Sequence, residues 1–91
     1  MAGKIVRYHM CCYGQVQGVG FRYRAMQVAG MYGLTGWVRN VSDYVEMEVQ
    51  GSEDIIECMM ETLDENTMIV IERVEKEEIP LKEEKKFRLE W

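Results

Sequence analysis

"YHMCCYGQVQGVGFRYRAMQVAGMYG", residues 8–33, changes its period part-way along. Residues 4–13 alternate, with Val6, Tyr8, Met10 and Cys12 on one side and Arg7, His9, Cys11 and Tyr13 on the other. That period of two is the mark of a strand. From Phe21 onward the apolar residues Phe21, Ala25, Val28, Ala29 and Tyr32 fall at helical spacing, and Gly33 stops the helix. Between the two patterns lies "GQVQGVGFR", residues 14–22, with three glycines in nine positions and an arginine at its end. Glycine costs the most backbone entropy to order, so a cluster of them needs a reason.

Outward from this strand–loop–helix unit the chain continues in the same style. "LTGWVRN" reads as a second strand and "YVEMEVQ" as a third, joined by a loop short enough for a hairpin. Ser52 is expected to cap a second helix that carries Glu53 and Asp54 in its first turn. Ile55, Ile56, Met59, Met60 and Leu63 form its apolar stripe. "MIVIERVEKEEI" supplies a fourth strand, and Phe87, Leu89 and Trp91 alternate in a short last one. The charged stretch from Glu75 to Lys86, broken by Pro80, reads as a solvated edge and turn. One-sided strands interleaved with two helices make an α+β protein: a ferredoxin-like split βαβ arrangement, βαββαβ plus a short C-terminal strand. An antiparallel sheet with both helices on one face is expected, in a single domain over residues 1–91. Strand 1 is expected centrally with strand 2 beside it.

Composition narrows the functions. The longest apolar runs, such as "MIVI", are far too short to cross a bilayer, and the N-terminus lacks the apolar stretch of a secretory signal. A soluble cytoplasmic protein is the expectation. Cys11, Cys12 and Cys58 are odd in number and lack the paired spacing of a zinc site, so they read as small buried or half-buried hydrophobes. The net charge of −5 is uneven. Residues 1–40 carry five cations and no acid, whereas residues 41–91 carry six cations and all 16 acids. A net acidic chain without an aromatic-rich RNA-binding signature is a poor nucleic-acid partner. The basic first part can still focus a small anion.

The glycine loop is the place for that anion. It joins a strand to a helix, so its N–H groups and those of the first helical turn can converge on one concavity. Gly14, Gly18 and Gly20 let the backbone bend and approach a ligand. Arg22 follows with a planar fork able to hold two phosphate or carboxylate oxygens. A cation is mildly disfavoured at a helix N-terminus, and a bound anion removes that conflict. The loop lacks the Lys-Ser/Thr of a Walker A motif and the distal acid of a dinucleotide fingerprint. Asn40, closing "GWVRN", is able to orient a water but is not a base. Whether it shares an edge of the sheet with the glycine loop stays open at this level.

"GQVQGVGFR" and "GLTGWVRN" together resemble the acylphosphatase family, whose signature is a G-x-V-Q-G-V-x-F-R loop followed by G-W/F/Y-V-x-N. The likeness extends over nearly the whole chain to the closing "KFRLEW". The resemblance implies a small ferredoxin-like hydrolase that cleaves the carboxyl–phosphate bond of acyl phosphates without metal or cofactor. It further implies that Gln17, Gly18, Val19, Gly20 and Phe21 cradle the phosphoryl group through backbone N–H. Arg22 would bind its oxygens and Asn40 would position the attacking water. The implied partner is a small-molecule acyl phosphate, with neither nucleic acid nor membrane involved and a monomer expected. His9 is assigned no role.

One feature departs from the family pattern. The hairpin after the asparagine commonly turns on Asp-Gly, whereas here Asp43 is followed by Tyr44 and the stretch looks about a residue shorter. A displaced turn would shift Asn40, leaving binding intact and turnover reduced. The alternative from another class is a non-catalytic anion-binding module of the same fold, of the kind found at the front of larger carbamoyl-transfer proteins.

Overall fold

The computed structural model describes residues 3–18 and 20–90. Val19 and Trp91 therefore lie outside the described residues. Seven elements follow in order: β1 (Ile5–Gln15), α1 (Phe21–Met31), β2 (Thr35–Val41), β3 (Tyr44–Ser52), α2 (Glu53–Asp64), β4 (Val70–Ile79) and β5 (Phe87–Leu89). The five strands form one sheet in the order β4-β1-β3-β2-β5. Every pairing is antiparallel except that of β5, which runs parallel to β2. The expected ferredoxin-like arrangement is present, and its short last strand makes the sheet mixed. Strand 2 is not beside strand 1: β3 lies between them. Two successive antiparallel pairings, β1 with β3 and β3 with β2, leave β1 and β2 parallel, so both end at the same edge.

The alternation read in β1 decides which face is buried. Val6, Tyr8, Met10 and Cys12 join Val38, Val45, Met47 and Val49 from β2 and β3 in the core. Helix α1 adds Phe21, Ala25, Val28 and Ala29, and α2 adds Ile56, Met59 and Leu63. Burial pushes the Cys12 thiol up to about 12, as befits a small hydrophobe. Cys11 is half-buried, but Cys58 is exposed on α2, contrary to the sequence reading. Helix α1 ends as its glycine predicts: Gly33 N–H donates to Gly30 O and Leu34 N–H to Ala29 O, the paired bonds of a Schellman motif.

Helix α2 begins differently from expectation. Ser52 stands at the N-cap but makes no side-chain cap bond, because its Oγ accepts from Gly3 N–H at 3.0 Å. The first helical N–H, that of Glu53, donates instead to Lys4 O. The N-terminal segment thus closes this helix end.

The link from β4 to β5 must cross from one edge of the sheet to the other. It passes over the helix-free face, where the Gln50 amide pairs with both the N–H and the carbonyl of Lys82. Beneath it lies Arg7, 1% exposed. Arg7 Nε donates to Glu48 at 2.9 Å and Nη1 to Glu84 at 2.7 Å. Burial raises the Glu84 pKa, but hydrogen bonds from Arg88 and Arg7 outweigh it and hold the carboxyl below its ordinary value. The "KEEKK" run is therefore not wholly solvated: Glu84 anchors it to a buried arginine.

Candidate active site

Parallel β1 and β2 bring the glycine loop and Asn40 to one edge. On β2 the residues Gly36 and Val38 are buried, and Asn40 follows in the same alternation, opposite the buried Val45. Its side chain therefore projects on the helix side, just past the core and beside the start of α1. A pocket of about 210 Å³ opens there, lined by Val16, Gly18, Gly20, Phe21, Arg22, Tyr23 and Asn40. Arg22 and Asn40, assigned to one reaction on motif alone, share this pocket. Gly18, Gly20 and Phe21 line it with them.

The backbone at the pocket needs its glycines. Gly18 and Gly20 have φ of 73° and 80°, the left-handed region that costs an L-residue about 1–2 kcal/mol. Gly20 is the N-cap of α1 and supplies no side-chain cap, and the first turn of this helix holds no acid. Gly14 has another task. It sits at a bulge between β1 and β4, and a Cβ there would lie 2.2 Å from Val70 O. It serves strand approach, not the pocket.

Two contacts at the site were invisible to sequence reasoning. Arg22 Nη1 donates to Glu90 O at 3.4 Å, so the residue just after β5 also steadies this guanidinium. Gln17 Nε2 donates to Tyr44 O at 2.7 Å, spanning from the glycine loop to the β2–β3 hairpin. Neither is encoded by local spacing. The first depends on the parallel β2–β5 pairing, which brings the end of the chain beside β2.

The hairpin is tight. Val41 pairs with Tyr44, which leaves a two-residue turn of Ser42 and Asp43, with Ser42 at φ 50°. Serine adopts the conformation that glycine usually takes in such turns. Asn40 keeps its register opposite Val45 and its place in the pocket.

A model of the acylphosphatase family matches residues 8–89. An acylphosphatase of Geobacillus kaustophilus is 42% identical over 86 residues, covering 91% of this chain and 92% of that protein. The chain belongs to the acylphosphatase family. A relative of the same name from Trichormus variabilis is 48% identical over 58 residues, which is 63% of this chain and 57% of that one. Among solved structures, an acylphosphatase from Coxiella burnetii superposes with a TM-score of 0.85 at 34% identity, covering 94% of this chain and 93% of its own. Full-length HypF in its phosphate- and nucleotide-bound form gives 0.87 at 33% identity, covering all of this chain but 12% of that protein.

The pocket is chemically sparse. Its described lining offers a guanidinium, an amide, a phenol and main-chain N–H groups, with no carboxylate. Among the described residues no group of three or more His, Cys, Asp or Glu is arranged to hold a metal ion. His9 lies elsewhere, on the helix-free face, bonded to Glu46 at 2.6 Å. No helix among the described residues is long and apolar enough to cross a membrane.

Proposed function

We propose that this pocket hydrolyses the carboxyl–phosphate bond of small acyl phosphates, releasing a carboxylate and inorganic phosphate. The observation that carries the reading is the meeting of Arg22 and Asn40 in one glycine-shaped pocket at the start of α1. Main-chain N–H groups from Gln17 to Phe21 cradle the phosphoryl oxygens, and Arg22 binds them with its fork. The Asn40 amide holds a water in line with the scissile bond. Water oxygen forms the new bond to phosphorus as the carboxyl–phosphorus bond breaks, and the carboxylate leaves with the electron pair. The amide is no base, so the water proton passes to a phosphoryl oxygen. A carboxylate is a good leaving group, and positioning with charge stabilisation suffices for such a transfer.

The substrate is a free small molecule, and the protein acts as a cytoplasmic monomer. A single monomeric species in sedimentation velocity checks the oligomeric part.

A second reading is a non-catalytic anion-binding module, supported by the likeness to a short part of HypF. Turnover of benzoyl phosphate in the presence of EDTA separates the two. Hydrolysis that inorganic phosphate inhibits competitively is the expected result. Phosphate bound without any turnover selects the module.

A further inference from the structure

We propose that the Gln17 side chain is a positioning residue for Asn40, holding the β2–β3 hairpin so that the asparagine meets its water. The inference rests on the reading of Asn40 as the group that orients the nucleophile. Gln17 was assigned to the phosphate cradle through its main chain. Its side chain does something else: the amide reaches across to Tyr44 O at 2.7 Å, a half-buried bond between residues far apart in sequence.

Tyr44 is the first residue after the turn, and its neighbour Val45 pairs directly with Asn40. The turn is held open to distortion by its own chemistry, since Ser42 sits at φ 50° without the freedom of glycine. The rest of the structure supplies the missing constraint from two sides. On the helix-free face the Tyr44 ring stacks on Tyr13 with centroids 5.1 Å apart, and the Arg73 guanidinium lies 4.1 Å over Tyr13. At the backbone, Gln17 fixes the Tyr44 carbonyl to the loop that cradles phosphate. One side chain thereby ties the two halves of the site, phosphate loop and water-bearing hairpin, into one rigid distance. Positioning of this kind is costly to lose, because a misplacement of about 1 Å can lower a rate by about a hundredfold.

The test is a double-mutant cycle on kcat for benzoyl phosphate, with the inhibition constant of inorganic phosphate measured alongside. Gln17→Met keeps the shape of the side chain and removes the donor, and Gln17→Ala provides a second variant should the first not fold. Expected is a loss in kcat of about tenfold with phosphate inhibition unchanged within twofold, and no further loss when Gln17→Met is added to Asn40→Ala. Wild-type kcat in the folded Gln17 variants overturns the inference. So does a full additional loss in the Asn40→Ala background, which marks an independent role. Weakened phosphate inhibition with kcat intact likewise overturns it, placing the side chain in the cradle. If Asn40→Ala alone keeps wild-type kcat, the role given to Asn40 under the proposed function fails, whatever Gln17 does.

Discussion

The two helices of this fold begin in opposite ways. Helix α2 starts with Ser52, Glu53 and Asp54, its first N–H bonded to Lys4 O and its Glu53 carboxylate accepting the Tyr8 hydroxyl at 2.6 Å. That carboxylate pushes the Tyr8 pKa up to about 12. Helix α1 starts with a glycine that offers no side-chain cap, has no acid in its first turn, and carries Arg22 there. One end is completed by the protein's own anions and carbonyl groups. The other gathers positive dipole and positive side chain at the mouth of a pocket, the arrangement on which the proposed phosphate site rests.

Arg22→Ala should cost the most, about 10²–10³-fold in kcat/KM together with phosphate affinity, as loss of a donor to developing charge does. Steady-state kinetics with phosphate inhibition reads both. Asn40→Ala should lower kcat by roughly a hundredfold while phosphate binds as before, the signature of an interaction made in the transition state. Equal kcat in the two proteins would remove Asn40 from the mechanism.

Away from the pocket, Glu84→Ala should leave kcat unchanged but destabilise the fold by about 1–3 kcal/mol in urea unfolding, since it strips one of two carboxylate partners from the buried Arg7. The same carboxylate gives a pH signature. Its folded pKa lies below the ordinary value, so its contribution is present above the unfolded pKa of about 4.3 and is lost as pH falls through the folded one. Wild-type stability should therefore decline below about pH 4.3, and less steeply in Glu84→Gln. Smallest of all, Asp54→Asn at the start of α2 should cost about 0.3–1 kcal/mol of stability and nothing in activity. A measurable change in phosphate inhibition would mean the two helix ends are not independent.

Much of the fold was legible because it is written in periods. The alternation of Val6 to Cys12 and the stripe of Phe21, Ala25, Val28 and Ala29 each predicted a buried face that the core uses. What failed was non-local. Strand 2 was expected beside strand 1, but pairing partners are set by packing between distant segments, and β3 takes that place. Ser52 reads as a cap from its neighbours alone, until Gly3 N–H claims its oxygen. Gly14 looks like part of a phosphate loop, yet its freedom serves the close approach of β4. Arg7 alternates as a residue of the open face, and only the crossing link buries it.

The site divides along the same line. Arg22, Gly18, Gly20, Phe21 and Asn40 were legible as motif residues, and they line one pocket. The bonds from Gln17 to Tyr44 and from Arg22 to Glu90 join segments that no local pattern relates.

The contrast between the two helix ends is tested most directly by titrating inorganic phosphate into the isotopically labelled, assigned protein and following its amide resonances. Saturable shifts are expected at residues 17–22 and at the Asn40 side chain, with residues 53–56 unmoved. Shifts confined to the start of α2, or none at the glycine loop, would contradict it.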